Sequence, residues 1–216
     1  MLTFLLLSGC FDAADTHLTL DVKSGEAHVV ERMHNAWPNT VDCGEKEGVT
    51  PTVDACVTAI REYLGKEVED ITTGGGKVAK AGIVLDAGKL DFYYDYTTPP
   101  GGKSLSDLGL RLYWGYARTP ADVKAARPGK KQLTLLVTPQ DEGTSTLDVT
   151  GKYQLLDGVV DGSKLSIYTF SGSNATLDAH WVHAAATADA PAPGAWLAQR
   201  EGLEAALQAS GMVVTP

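Results

Sequence analysis

Metal-ligand spacing is missing from this chain of 216 residues, which has only three cysteines and five histidines. Cys43 and Cys56 stand thirteen positions apart with no CxxC or HxxxH nearby, so a zinc site would have too few ligands at poor spacing. No serine lies in a GxSxG frame; the nearest stretch, GTSTL around Ser145, lacks the second glycine that a sharp nucleophile turn uses. TGGGKVAK lacks the earlier glycine of a phosphate loop and puts Val78 where the magnesium-binding hydroxyl would stand, which leaves a flexible turn. DGVVDGSK reads as two Asp-Gly turns, at Asp157 and Asp161, without the alternating oxygens and closing Glu of a calcium loop. These absences give no catalytic residues, no metal and no cofactor.

Positive charge is also scarce. The net charge is -9, and residues 11 to 100 carry 16 acidic against 8 basic side chains. Such a surface repels phosphate backbones, so nucleic acid is not an expected partner. One segment runs against the trend: ARTPADVKAARPGKK sets Arg118, Lys124, Arg127, Lys130 and Lys131 against a single Asp122. Both an anionic membrane surface and a solvated helix with a basic loop fit it.

What is present is enough for a real core. Hydrophobic residues make up 44% of the chain, while 23 glycines and 10 prolines supply turns between short strands. Leu18, Leu20 and Val22 alternate with Thr19, Asp21 and Lys23 before Ser24-Gly25, the pattern of a β-hairpin completed by EAHVVERMHN. Thr50 or Thr52 then caps a helix with Pro51 near its first turn, and Val53, Cys56, Val57, Ile60 and Leu64 form one apolar stripe. AGIVLDAGKLDFYYDYT predicts a second hairpin turning at Ala87-Gly88.

Further strands follow in LGLRLYWGYA, KQLTLLVT, STLDVT, GKYQLLD, SKLSIYTF and NATLDAHWVH, with a short helix expected at TPADVKAAR. The last segment, AWLAQREGLEAALQASG, reads as one broken helix closed by Gly211. The whole is α+β: a largely antiparallel, meandering sheet of about ten short strands with two or three covering helices.

Candidate binding residues are aromatic. Phe92, Tyr94 and Tyr96 share one strand face; Trp114 and Tyr116 share another with Leu110 and Leu112. On neighbouring strands such faces can build a groove for a sugar or lipid, or they can be core beneath the helices. Tyr93, Asp95, Arg111 and Tyr113 then face the other way, toward solvent. Among the histidines, His180 and His183 sit three apart on a strand and point to opposite faces, so they cannot chelate together. His17 and His28 are cross-strand neighbours in one register of the first hairpin, and the plain reading of all five is surface or structural.

Close to Met1, an apolar run from Leu2 to Leu7 leads into Leu7, Ser8, Gly9 and Cys10. These four residues resemble the lipobox of bacterial lipoproteins, an aliphatic residue and two small ones before a cysteine. The resemblance implies that residues 1–9 are a signal peptide, that Cys10 becomes an acylated N-terminus, and that residues 10–15 tether a single α+β domain, 16–216, to a membrane. Lipoproteins kept in the inner membrane often carry Asp next to that cysteine; Phe11 stands there instead, which leans toward the outer membrane, facing periplasm or exterior. The alternative is an ordinary first strand with Cys10 buried. With Cys10 set aside, Cys43 and Cys56 form an even pair, able to close a disulfide in an oxidising compartment or to stay as buried thiols. The function expected is a non-catalytic binding or structural module of the envelope. A carrier of a lipid or other apolar ligand in a sheet-lined cavity, and an enzyme with an unrecognised site, are the alternatives.

Overall fold

The computed structural model describes residues 11–23, 26–38, 43, 50–99, 110–114, 133–137, 143–150, 153–160, 163–170, 175–183 and 195–216. The first hairpin is formed by β2 (Asp15–Lys23) and β3 (Glu26–His34), paired so that Lys23 stands opposite Glu26. Its alternation is real burial: Leu18, Leu20 and Val22 are enclosed, and their odd-numbered neighbours are not. Before and after it, β1 (Phe11–Asp12) and β4 (Trp37–Pro38) pair with each other.

Helix α1 (Val53–Thr73) starts at Thr52, whose side chain accepts the Ala55 N–H at 3.2 Å and so satisfies one of the free amides of the first turn. Cys56, Ala59, Ile60, Leu64 and Ile71 are its buried stripe. The helix ends where Gly75 takes φ +89° and Gly76 N–H donates to the Ile71 carbonyl at 2.9 Å. A Cβ on Gly76 would lie 2.7 Å from Ile71 Cγ2 and 2.9 Å from its carbonyl oxygen, so the turn needs glycine. The glycine run therefore closes a helix, whereas a phosphate loop opens one.

The second hairpin joins β5 (Lys77–Asp86) to β6 (Lys89–Thr98) through Ala87 and Gly88, both at positive φ, the conformation a tight antiparallel turn requires. The later strands are β7 (Leu110–Trp114), β8 (Leu133–Val137), β9 (Gly143–Thr150), β10 (Tyr153–Val160), β11 (Ser163–Phe170) and β12 (Ala175–His183). Two short helices close the described chain, α2 (Ala195–Ala198) and α3 (Leu203–Ala209), separated at Gly202 with φ +85°. This is an antiparallel α+β architecture. Six strands pair in the order β5-β6-β3-β2-β12-β9, and β10-β11-β8-β7 form a second sheet.

The core lies on one face of the six-stranded sheet. Leu18, Val29, Ile83 and Phe92 meet Ile60 of α1 and Leu203 of α3 there, each at 0% exposure, and each such side chain withdrawn from water contributes about 1.5 to 3 kcal/mol. The edge strand β5 is partly covered: Ile83 N–H donates to the Met212 carbonyl and Val214 N–H to the Ile83 carbonyl, both at 2.9 Å. Gly82 makes that approach possible, because a Cβ there would sit 2.4 Å from the Met212 oxygen.

Four expectations need correction. The tether 10–15 is folded from Phe11 onward: Phe11 is buried, Ala14 N–H donates to the His34 carbonyl at 3.0 Å, and Asp15 already pairs with His34. Asp157-Gly158 is not a turn, since both residues lie within the β10–β11 ladder, opposite Ser166 and Leu165. The aromatic strands β6 and β7 are not neighbours; β6 pairs with β3 and β5, and β7 with β8 in the other sheet. Tyr93 faces away from the core but is only 6% exposed, set between Arg32 and Gly82 by the register. The basic segment 118–131, with the helix expected there, falls outside the described residues.

Candidate functional site

The three candidate aromatics on β6 belong to the core. Phe92, Tyr94 and Tyr96 are at most 2% exposed. Phe92 lies with its ring centroid 5.1 Å from Phe11 and 4.7 Å from Tyr63 of α1, so it fills the sheet–helix interface. The Tyr94 hydroxyl is buried without a hydrogen-bond partner. Burial first, then the nearby Tyr63, Glu67 and Glu31, push its pKa well above that of an ordinary phenol. Leu112 and Trp114 lie on β7, while Tyr116 and Cys10 lie outside the described residues.

Cys43 and Cys56 are joined in a disulfide, with Cα atoms 4.7 Å apart. It pins the segment after β4 to the first turn of α1. Arg200 secures the same segment from the other end of the chain, donating Nη2 to the Cys43 carbonyl and Nη1 to the Trp196 carbonyl, each at 2.9 Å, while its guanidinium lies over the Trp196 ring.

The polar concentration is on the opposite face of the six-stranded sheet. Strand alternation brings Asp15, His17, Thr19 and Asp21 of β2 to that face, and the antiparallel register sets His180 opposite His17 and Asp178 opposite Thr19. The two strands carry the same three-residue pattern, Asp15-Thr16-His17 and Asp178-Ala179-His180. Run antiparallel, the patterns exchange partners: His17 Nε2 donates to Asp178 Oδ1 at 2.7 Å, and His180 Nε2 to Asp15 Oδ1 at 3.1 Å. The imidazoles meet edge to face with centroids 6.2 Å apart.

Two further pairs stand beside them on β3 and β6. His28 Nε2 donates to Asp95 Oδ1 at 2.8 Å, and His34 Nδ1 lies 3.3 Å from Asp91 Oδ2. Asp91 is the most enclosed carboxylate of the set, at 4% exposure. Burial alone would raise its pKa, but hydrogen bonds from His34, the Asn35 amide at 2.8 Å and Arg32 Nε at 2.8 Å, with the Arg32 charge, hold it below the usual carboxylate range. His17 and His28 are not cross-strand neighbours: the register puts Arg32 opposite His17 and Asp21 opposite His28. Among the described residues no three His, Cys, Asp or Glu side chains gather where they could hold a metal ion.

Between these pairs runs an open groove of about 340 Å³, lined by Thr19, Leu20, Asp21, His28, Val30, Thr176, Leu177 and Asp178. Pairing the histidines with one another, His180 with His183 and His17 with His28, does not reveal it, because their partners are aspartates on neighbouring strands. The signal was the repeated Asp-x-His, whose spacing of two fixes both groups on one strand face.

No helix among the described residues is long and apolar enough to cross a membrane. No protein family model, curated protein or solved structure matches this chain.

Proposed function

We propose that the protein is an exported lipoprotein of a bacterial envelope, acylated at Cys10 and acting as a non-catalytic binding module at the membrane surface. The observation that carries the reading is the Cys43–Cys56 disulfide, because such bonds persist in periplasm and outside cells and are rare in cytosol. The third cysteine of the chain, Cys10, lies outside that bond and behind Leu7-Ser8-Gly9, the lipobox-like stretch.

Acyl chains contribute about 0.8 kcal/mol for each buried methylene, and stable anchoring takes two membrane signals, so a diacylglyceryl group on Cys10 with an acylated amine would hold the protein firmly. With Phe11 already in the core, one extended residue of about 3.5 Å separates the lipid from the folded domain. The domain then rides directly against the headgroups. Phe11 in place of Asp after the cysteine favours the outer membrane.

Growing the native host with an alkyne-bearing fatty acid and coupling a fluorophore to the purified protein tests this. Labelling of the wild type and its loss in Cys10→Ser is the expected result. Equal signal in both, or none in either, overturns the assignment.

A further inference from the structure

We infer that the β5 edge of the six-stranded sheet is a docking surface for a second copy of this chain, paired antiparallel about Ile83, and that residues 212–215 hold that surface closed. β5 ends the strand order and pairs with β6 on its inner side. In an antiparallel ladder the N–H and C=O groups of successive residues point alternately toward the neighbouring strand and away from it. Ile83 points away: its N–H donates to the Met212 carbonyl and its own carbonyl accepts from Val214 N–H, both at 2.9 Å. From Lys80 to Asp86 the register with β6 runs without a shift, so Ala81 and Leu85 turn their backbone groups the same way as Ile83. Such a row is a template for another strand.

The template is complementary to itself. An antiparallel pair centred on Ile83 sets Ala81 opposite the partner's Leu85, Gly82 opposite the partner's Val84 and Lys80 opposite the partner's Asp86, each of these twice by symmetry. Ala81, Ile83 and Leu85 lie on the face that carries the core and pack against it, so the pairing prolongs an apolar row. Lys80 and Asp86 lie on the other face, both exposed. Within one copy Lys80 stands opposite Asp95, and Asp86 opposite Lys89. The pairing therefore completes a row of alternating sign across four strands, from Asp95 through Lys80 to the partner's Asp86 and the partner's Lys89. Sliding the strands by two residues either way sets Lys80 opposite the partner's Val84 or the partner's Gly88 and loses both charge pairs. Charge complementarity of this kind selects the register and the partner.

Residues 212–215 sit on the centre of this surface. They engage the same Ile83 N–H and carbonyl that the partner's Ile83 would engage, so the two states exclude each other. They also hold Lys80, whose ammonium donates to the Thr215 carbonyl at 2.8 Å. The hold is narrow: Val213 makes an isolated parallel bridge to Ile83 and is 39% exposed, and the segment leaves α3 through Gly211 at φ +77°. A second β5 offers a ladder in place of that bridge. The tethered segment prevails in dilute solution because it is always near its seat. Loosening it hands the edge to the second copy.

The inference is independent of the lipid at Cys10. Val214→Pro removes the N–H that the Ile83 carbonyl accepts and leaves β5 unaltered. Full-length wild type and variants are compared in one neutral detergent by sedimentation equilibrium, with protection of the Phe92 amide from exchange showing that each is folded. The dimer dissociation constant of V214P should be lower than that of the wild type by about tenfold or more. In the V214P background D86K and K80D each set like charges together across the two-fold, so each alone should dimerise roughly tenfold more weakly, and their equimolar mixture should recover the lost affinity as a heterodimer. In a mixed-label V214P sample, nuclear Overhauser contacts should join Ala81 of one copy to the partner's Leu85. A V214P protein that associates no more than the wild type, charge variants that associate as well alone as when mixed, or intermolecular contacts away from β5 would overturn the inference.

Discussion

Phe11 meets Phe92 edge-on, with ring centroids 5.1 Å apart and planes at 77°, while lying 5.2 Å from Tyr63. The residue directly after Cys10 is thereby fastened to the sheet and to α1 at once. Replacing Phe11 with alanine removes a buried aromatic from this cluster and should cost about 3 to 5 kcal/mol of stability. Urea unfolding reads this directly; a loss under about 1 kcal/mol would mean that the cluster closes without it.

The Cys43–Cys56 bond closes a short loop at the head of α1. In the chain-entropy model, a loop of this size restricts the unfolded chain by about 3 kcal/mol. The paired Cys43→Ala, Cys56→Ala variant should unfold at lower urea by that amount, and adding reductant to the wild type should reproduce the shift. An unchanged midpoint in both would remove the disulfide from the account of stability.

Asp91 gives the pH dependence its sign. Its carboxyl is held below the ordinary range in the folded state, so the stabilisation is present above the unfolded carboxylate value of about 3.9 and is lost as pH falls through the lower folded value. Asp91→Asn should therefore cost roughly 3 kcal/mol at neutral pH, where Arg32 loses its buried partner. The penalty should shrink on acidification below about pH 4, as the wild type loses the same interaction. Thermal melts of both proteins between pH 2 and 7 measure it; parallel curves would contradict the assignment.

Gly82 permits the close passage of residues 212–214 along the β5 edge. Gly82→Ala puts a methyl 2.4 Å from the Met212 oxygen, which should displace that segment and expose two backbone hydrogen bonds. The expected loss is about 1 to 3 kcal/mol. Hydrogen exchange at Ile83 and Val214 should accelerate while Phe92 stays protected. Unchanged exchange at both positions would show that the edge is held by other contacts.

The elements legible in the sequence were those whose local pattern and tertiary role agree. The alternation of residues 18–23, the stripe from Cys56 to Leu64 and the turn at Ala87-Gly88 each state burial and geometry in the same few residues. Pairing between distant strands was not legible. Nothing near Leu177 announces that β12 inserts between β2 and β9, a choice made by the whole core face at once. The histidine–aspartate pairs depend on that same register, joining His17 to Asp178 across 161 positions, so their residue types were visible and their partnership was not. Phe11 misled for a related reason: its contacts lie on α1 and β6, and no local pattern carries them.

Intact-mass measurement of the protein extracted from membranes of its native host tests the central claim most directly. The account predicts a chain beginning at Cys10, heavier than its sequence by a diacylglyceryl group and a further acyl chain, and lighter by two hydrogens for the Cys43–Cys56 bond. A soluble cytosolic protein whose Cys10 carries a free thiol would contradict it.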